Sequence, residues 1–318
     1  MEERRVIVVH PHGFCAGVAR ALAAAEAALA RFPRPIYGLH ELVHNEHVVA
    51  DLEARGVRFV ATVEEAPPGA TLLFSAHGVA PAVRLAAAAR RLRVVDATCP
   101  YVAKVHDEVR RFAAGGGIVF CIGHHGHAEV EGVAGEAPGR VIVVATPEEA
   151  RQAQPADPAR VAVVTQTTLR PERADDVRAV LRERFPGLRE PVRADICHAT
   201  RDRQEAARAL AAAADLVLVL GSETSSNSRR LVETVARAGG RARLIGTRTA
   251  LAGVPLAQTR TLGITSGAST PESFLLDVLA DLRLLGFTAV EHLHAVPEPP
   301  RAFPPPTELV AQAARNLL

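Results

Sequence analysis

A threefold repeat along the chain constrains the fold of this protein more than any other feature of its sequence. Each repeat begins with a cysteine directly before an Ala-rich amphipathic helix, and a short apolar run follows that helix. A first polar loop lies 28 or 29 residues after each cysteine, and a second lies 62 to 72 residues after it. The three series are Cys15, His44 and His77; Cys99, His127 and Thr167; and Cys197, Ser225 and Ser269. Self-similarity on this scale predicts three copies of one structural unit.

The segments within the repeat indicate an α/β protein. Charges three or four residues apart mark the amphipathic helices, which we expect at 18–31, 101–113 and 200–214. The apolar runs are typical of buried parallel strands, expected at 36–39, 57–60, 71–74, 94–95, 118–122, 141–144, 161–164, 216–220 and 262–264. Strands that alternate with helices form parallel sheets. We therefore predict three α/β lobes at 14–98, 99–196 and 197–283, followed by a Pro-rich tail at 284–318.

The positions of Cys15, Cys99 and Cys197 suit metal ligands better than core residues. They stand beside Gly, Pro and polar residues at helix starts, where unpaired backbone N–H groups and the helix dipole stabilise a thiolate. Three such thiolates at one point would make a site for a thiophilic metal centre. Zinc prefers four ligands with close pairs such as CxxC, which this chain lacks. An iron–sulfur cluster is usually held by four cysteines, so that three would leave one iron open. The fourth cysteine, Cys121, lies in an apolar run and is expected in the core.

Six polar loops accompany the cysteines and predict a site for an anion. They hold many hydroxyl, amide and imidazole groups, few carboxylates and no lysine. The loops are HELVHNEH, SAHGV, GHHGHAEVEG, TQTTL, SETSSNSRR and TSGAST. Such donors, together with backbone N–H groups at the starts of helices, suit a phosphate or diphosphate. Because neither a P-loop nor a GxGxxG pattern is present, nothing in these loops indicates a nucleotide.

One of these loops carries two carboxyl groups, Glu129 and Glu131, that are candidates for proton transfer. A carboxyl group sheltered from water has a raised pKa and can donate a proton near neutral pH. The two residues alternate along the chain, so that only one is expected to face the site. Proximity to His127 favours Glu129. The alternative for either residue is a solvated loop carboxylate.

Charge and composition exclude several classes of function. The chain has 37 Lys and Arg against 35 Asp and Glu, with no Trp and two Tyr, so it lacks both the basic surface and the stacking residues of a nucleic-acid-binding protein. The longest apolar region, 206–220, is interrupted by Arg208 and Asp215 and is too short for a membrane span. The run 6–9 is too short for a signal peptide. We therefore expect a cytoplasmic protein with reduced cysteines.

Nine segments of the sequence, taken together, resemble one known family. In chain order they are PHGFCAGVARA, HELVHN, FSAHGV, DATCPYVAKVH, GHHGHAEVEG, TQTTL, DICHATRDRQEA, GSETSSNSRRL and TSGASTP. They are similar to the motifs of the 4-hydroxy-3-methylbut-2-enyl diphosphate reductases, the last enzymes of the methylerythritol phosphate route to isoprenoids. The similarity covers about residues 5–285. It implies three α/β lobes arranged with pseudo-threefold symmetry around a central 4Fe–4S cluster.

The resemblance also implies a role for each candidate residue. Cys15, Cys99 and Cys197 would bind three irons of the cluster, and the fourth iron would meet the substrate hydroxyl. Glu129 would donate the proton, with Thr167 as a hydroxyl relay and His127 beside it. The residues expected to bind the substrate are His44, His77, His127, Thr167, Ser225, Ser226, Asn227 and Ser269. Electrons would come from an external carrier of the ferredoxin or flavodoxin type, and the products would be isopentenyl and dimethylallyl diphosphate.

Three positions differ from the pattern that this family commonly shows. His12 stands where an Arg is common, Ala128 where a Pro is common, and His198 where a Tyr is common. None of these changes removes a predicted ligand or the predicted acid. Two other functions fit part of the pattern: an iron–sulfur sensor of a phosphorylated metabolite and a zinc hydrolase. A sensor does not need the proton donor Glu129, and the chain lacks the HExxH pattern of many zinc hydrolases.

Overall fold

The structure is a computed structural model that describes residues 4–297 and 302–309. The strands in these residues are β1 (Arg4–His10), β2 (Ile36–Leu39), β3 (Val57–Val60), β4 (Thr71–Phe74), β5 (Arg93–Asp96), β6 (Ile118–Ile122), β7 (Val141–Val144), β8 (Val161–Thr165), β9 (Leu216–Leu220), β10 (Ala242–Ile245), β11 (Thr261–Ser266) and β12 (Phe287–His294). The α-helices are α1 (Ala16–Arg31), α2 (Glu46–Ala54), α3 (Pro81–Ala89), α4 (Pro100–Ala114), α5 (Ala128–Ala134), α6 (Pro147–Gln152), α7 (Pro171–Arg184), α8 (His198–Ala213), α9 (Ser226–Arg237) and α10 (Glu272–Leu284). The predicted helices are confirmed, because α1, α4 and α8 each begin one residue after a cysteine.

The strands form three parallel sheets, which confirms the predicted α/β class with three lobes. Their strand orders are β3-β2-β4-β5, β7-β6-β8 and β10-β9-β11-β1-β12. In the described residues every pair of neighbouring strands runs parallel. Parallel pairing requires a crossover between strands, and the helices between them supply it.

The three sheets share one strand order, which gives the sequence repeat a structural basis. In each, the first strand after a cysteine lies between the second and the third. Beside the third strand lies the segment that leads to a cysteine. This segment is β5 before Cys99, β1 before Cys15, and a single parallel bridge between Arg189 and Ala162 before Cys197. The cysteines therefore follow structurally equivalent positions.

The chain folds into two compact units. In the described residues, unit 1 comprises 4–16, 44–50 and 198–297 and holds the five-stranded sheet. Unit 2 comprises 17–43, 51–197 and 302–309 and holds the other two sheets. The predicted boundaries between the lobes, at 98/99 and 196/197, stay predictions.

The central strands are apolar because both of their faces are buried. In unit 1, Val6 and Val8 pack into a cluster on one face of the sheet, and Ile7 and Val9 pack into another on the opposite face. Leu218 and Val219 of β9 alternate between the same two clusters. The core of each sheet therefore leaves the strand ends and loops for polar residues.

The predicted tail differs from the structure at its beginning. Residues 287–294 form β12, an edge strand that pairs with β1, because alternating polar and apolar side chains suit an edge that is half exposed. Residues 302–309 lie on helices of unit 2: Arg20 Nε donates to the Pro304 carbonyl at 2.7 Å. The rest of the predicted tail, 298–301 and 310–318, lies outside the described residues. No helix in the described part of the chain is long and apolar enough to span a membrane.

Candidate active site

His77 lies in a turn after β4 that is bound to the backbone of Cys99. The Ala76 carbonyl accepts a hydrogen bond from the Cys99 N–H at 3.0 Å. Gly78 has a φ of +76°, and a Cβ at this position would lie 2.9 Å from Nε2 of His106. Both the left-handed backbone and the close packing require glycine here. The turn thus holds His77 next to a predicted metal ligand.

His127 caps the start of α5. Its Nδ1 accepts a hydrogen bond from the Glu129 N–H at 3.1 Å, so that Nδ1 is unprotonated and Nε2 carries the ring N–H. The ring meets that of His77 edge to face, with 5.8 Å between the centroids. Two imidazoles that the family resemblance assigns to the substrate therefore contact each other in unit 2.

Glu129 is a buried carboxyl group that Thr167 holds through two hydrogen bonds. The residue is 1% exposed to solvent. Oε1 accepts a hydrogen bond from the Thr167 N–H at 2.6 Å, and Oε2 accepts one from Thr167 Oγ1 at 3.0 Å. Burial raises the pKa of Glu129 to about 7, although the bonds from Thr167 oppose the shift. The group can therefore donate a proton near neutral pH, whereas Glu131 is exposed.

Cys99 and Cys197 both lie in unit 2, Cys99 directly before α4 and Cys197 directly before the first residue of α8. The Cys197 N–H donates to the carbonyl of Thr167 at 3.2 Å, so that Thr167 contacts both this cysteine and Glu129. Both cysteines are partly exposed. Cys121, by contrast, is 1% exposed within β6, and burial raises the pKa of its thiol, which is the behaviour of a core residue.

Cys15 follows a tight segment of unit 1. Gly13 has a φ of +66°, and its N–H donates to Ser266 Oγ at 2.8 Å. The Cys15 N–H donates to the carbonyl of Ala268 at 3.1 Å. The backbone that leads to the cysteine is therefore bound to the loop after β11.

Ser225, Ser226 and Asn227 lie at the start of α9. Ser225 caps the helix, because its Oγ accepts a hydrogen bond from the Ser228 N–H at 3.2 Å. Asn227 is buried, yet neither Oδ1 nor Nδ2 of its amide has a hydrogen-bond partner in the described residues. Buried polar groups are normally paired, so an unpaired amide indicates a position that a ligand completes.

His44 and Ser269 meet in unit 1. The Ser269 hydroxyl donates to the His44 carbonyl at 2.9 Å. Asn45 caps the start of α2, since its Oδ1 accepts hydrogen bonds from the N–H groups of His47 and Val48 at 3.1 and 3.3 Å. Because β9 and β11 are adjacent and parallel, the loops after both strands emerge at one sheet edge. Ser269 and the Ser225–Asn227 segment share that edge.

The predicted residues are divided between the two units. Unit 1 contains Cys15, His44, Ser225, Ser226, Asn227 and Ser269, and unit 2 contains His77, Cys99, His127, Glu129, Thr167 and Cys197. Among the residues described, no three His, Cys, Asp or Glu side chains are arranged to hold a metal ion. The donor chemistry still fits an iron–sulfur centre, because the three partly exposed cysteines all stand at helix starts and form no disulfide.

Sequence reasoning missed residues that act over long distances. Gln166 Oε1 accepts hydrogen bonds from both the N–H and Nδ1 of His124, each at 3.0 Å. Asp195 is buried and accepts a hydrogen bond from the Thr165 N–H. The only local signal was their position in the quoted segments, next to Thr167 and Cys197.

A family model described as "LytB protein" matches residues 6–283. The chain belongs to the LytB family. Similar members include the 4-hydroxy-3-methylbut-2-enyl diphosphate reductase of Acidothermus cellulolyticus, 48% identical over 296 residues, which are 93% of this chain and 87% of that protein. The reductase of the same name from Bordetella pertussis is 47% identical over 314 residues, 99% of this chain and 96% of that one.

A solved structure supports the same family assignment. The E-1-hydroxy-2-methyl-but-2-enyl-4-diphosphate reductase of Plasmodium falciparum matches with a TM-score of 0.95 at 30% sequence identity. The match covers 99% of this chain and 100% of that chain. The α/β fold with three parallel sheets is therefore that of a LytB-family reductase.

The three positions that depart from the motif pattern lie beside site residues in this LytB-family chain. Ala128 is the first residue of α5 and His198 the first of α8. His12 is largely buried, and burial, together with the nearby His10 and Arg203, lowers its pKa to about 4. The imidazole at position 12 is therefore neutral near pH 7, where an Arg would carry a charge.

Proposed function

We propose that this chain catalyses the reductive dehydration of 4-hydroxy-3-methylbut-2-enyl diphosphate to isopentenyl and dimethylallyl diphosphate. The observation that carries the proposal is Glu129, a buried carboxyl group with a pKa of about 7 that is held by two hydrogen bonds from Thr167. Membership of the LytB family, with relatives named as reductases of this diphosphate, supports the choice of substrate. A sensor would not need such an acid.

The reaction breaks the allylic C–O bond of the substrate. Two electrons and two protons enter, one proton leaves with the hydroxyl oxygen as water, and the other adds to the allyl fragment. Addition at one end gives isopentenyl diphosphate, and addition at the other gives dimethylallyl diphosphate. Glu129 donates the proton that the departing oxygen requires, and the Thr167 hydroxyl relays it. Thr167 also holds the carboxyl group in place through its backbone N–H.

We assign the diphosphate to neutral donors. The unpaired amide of Asn227, the helix-capping Ser225 with its neighbour Ser226, and the hydroxyl of Ser269 are suited to phosphate oxygens. His127 adds the N–H of Nε2, since its Nδ1 is occupied as an acceptor. His44 and His77 complete the assigned set. Holding the diphosphate fixes the reacting end of the substrate relative to the acid.

We assign Cys15, Cys99 and Cys197 as ligands of a 4Fe–4S cluster. When bound, such a cluster would pass on the two electrons one at a time and would supply a Lewis-acidic iron for the substrate hydroxyl. Each cysteine is preceded by a backbone that is hydrogen-bonded to a neighbouring loop, and each is followed by a helix start that favours a thiolate. The buried thiol of Cys121 is left out of the set.

The proposed reaction requires reduced cysteines and an external source of electrons. The cysteines must be reduced to bind iron, which agrees with a cytoplasmic location. The two electrons come from outside the chain, and a small carrier of the ferredoxin or flavodoxin type has the suitable chemistry.

The proposal is tested by anaerobic incubation of purified protein with reduced methyl viologen and 4-hydroxy-3-methylbut-2-enyl diphosphate. We expect oxidation of the dye in a ratio of two electrons to each molecule of product, and the products to be the two isoprenoid diphosphates. The variant Glu129→Gln should oxidise the dye much more slowly than the parent protein. Glu131→Gln is its matched control, because Glu131 lies on the same helix but is exposed. A brown protein that binds the diphosphate but oxidises no dye would be a sensor and would refute the proposal.

A further inference from the structure

This chain contains a single lysine, and it lies close to one of the predicted cluster ligands. The remaining 36 of the 37 Lys and Arg residues are all Arg, so the sequence uses Arg at every other position that carries a basic side chain. Lys104 lies in α4, five residues after Cys99. A lone lysine in such a chain suggests that the position needs a compact ammonium group rather than a planar guanidinium.

The contacts of Lys104 match the geometry of an ammonium group. Its Nζ lies 2.5 Å from Asp195 Oδ1, 2.6 Å from the Arg193 carbonyl oxygen and 3.2 Å from Glu108 Oε2. The Asp195 side chain is fully buried, while that of Lys104 is 26% exposed. Two of these contacts are hydrogen bonds and the third, to Glu108, is an ion pair, a grouping around one nitrogen that suits the compact charge of an ammonium group. A planar fork cannot satisfy them in the same way.

Asp195 connects Lys104 to the end of β8, and it lies two residues before Cys197. Its second oxygen, Oδ2, accepts a hydrogen bond from the Thr165 N–H at 2.8 Å. Two residues further along both segments, the Cys197 N–H donates to the Thr167 carbonyl. Asp195 and Cys197 therefore fasten one segment to the other at two successive points.

The contacts form one chain through unit 2. They start at the helix that follows Cys99, pass through Lys104 and Asp195 to the end of β8, and reach Thr167. Thr167 holds both the backbone of Cys197 and the carboxyl group of Glu129. A displacement of the Asp195 segment would move a cysteine and the residue that holds the acid together.

We propose that Lys104 is a positioning residue which, through Asp195, fixes Cys197 relative to Cys99 and to the Thr167–Glu129 pair. The inference deepens the proposed function and rests on it, because the spacing of two cysteines matters for a cluster that both of them bind. In this role Lys104 acts through Asp195 and is not itself a ligand of the cluster.

The first test measures the cysteines without any metal. The full-length chain, freed of iron by a chelator, is labelled with iodoacetamide under native conditions, and the rates at Cys99 and Cys197 are read by peptide mass spectrometry. We expect Lys104→Met to raise the rate at Cys197 about tenfold, because Asp195 loses the partner of its buried charge, and to change the rate at Cys99 much less. Lys104→Arg should give an intermediate rate. Arg111→Met removes an exposed cation from the same helix and should leave both rates unchanged.

The second test uses the protein with its iron–sulfur centre. We expect the electron paramagnetic resonance spectrum of reduced Lys104→Met to have g values that differ from those of the parent. The iron content per chain of this variant should also differ. Lys104→Arg should restore part of the parent spectrum. The labelling test does not depend on iron or on turnover. A parent protein that lacks a cluster would therefore refute the proposed function, while the labelling rates would still decide the role of Lys104.

A double variant separates positioning from the balance of charge. Lys104→Met combined with Asp195→Asn leaves no unpaired buried charge, and the asparagine Oδ1 can still accept the bond from Thr165. If Lys104 positions the segment, the labelling rate at Cys197 stays raised in the double variant. A return of both rates and of the spectrum to the parent values, or no effect of Lys104→Met at all, would overturn the proposal.

Discussion

Replacing Glu129 by Gln should stabilise the protein against unfolding, and the gain should grow as the pH rises. Burial raises the pKa of Glu129 from 4.5 to about 7. Because the pKa is higher in the folded chain than in the unfolded chain, the protonated carboxyl favours folding. This contribution is complete below pH 4.5 and is lost as the pH rises through 7. Glutamine does not ionise, so the variant loses this dependence.

The magnitude follows from the two pKa values. Relative to a group that stays neutral, Glu129 costs the folded state about 1 kcal/mol at pH 5.5 and about 3 kcal/mol at pH 8.5. The difference in unfolding free energy between the variant and the parent should therefore increase by about 2 kcal/mol over this range. A comparison across pH removes every effect of the substitution that does not depend on pH.

The assay is urea-induced unfolding of iron-free protein, followed by circular dichroism at several pH values between 5.5 and 8.5. Glu131→Gln is the control, because it makes the same substitution at an exposed position of the same helix. If the advantage of Glu129→Gln is the same at both ends of the range, Glu129 does not have a raised pKa in the folded chain and the reasoning fails.

Four further predictions test other parts of the protein. Glu129→Gln should lower turnover by a factor of about 10² to 10⁴ with little change in KM, and an unchanged rate with reduced methyl viologen would remove this residue from catalysis. Cys121→Ser should keep the visible absorption of an iron–sulfur cluster and Cys197→Ser should lose it; the reverse result would mean that the ligands are assigned wrongly. Asn227→Ala should raise KM about tenfold without lowering the urea midpoint, because its amide has no partner in the described residues, and a lowered midpoint with an unchanged KM would assign it a structural role. Gly78→Ala should lower the free energy of unfolding by about 2 kcal/mol, since position 78 has a positive φ and lies close to a buried imidazole, and an unchanged urea midpoint would contradict this.

Most of the buried strands could be predicted from the sequence because they are apolar on both faces. The predicted runs 36–39, 118–122 and 216–220 coincide with β2, β6 and β9. Three strands were not predicted: the inner strand β1 and the edge strands β10 and β12. In Ala242–Ile245 only the last residue is buried, and Phe287–His294 is largely exposed. An edge strand is defined by its partner, which a local pattern of hydrophobic residues does not reveal.

The site could be predicted where its geometry is local. A cysteine before a helix and a capping Ser225 follow from short sequence patterns, and the structure has helix starts at these positions. The contacts of Lys104 with Asp195, and of Gln166 with His124, join residues 91 and 42 positions apart in the chain. Such pairs form only when the tertiary fold brings their segments together, and a single sequence contains no record of them.

The account depends on one cluster bound by Cys15, Cys99 and Cys197 that serves the allylic diphosphate. The most direct measurement is the electron paramagnetic resonance spectrum of anaerobically purified, reduced Glu129→Gln protein, recorded before and after addition of 4-hydroxy-3-methylbut-2-enyl diphosphate, so that slow turnover preserves the substrate. The account predicts the signal of a reduced 4Fe–4S cluster, with g values that change when the diphosphate is added. A protein without such a signal, or a signal that the diphosphate leaves unchanged, would contradict it.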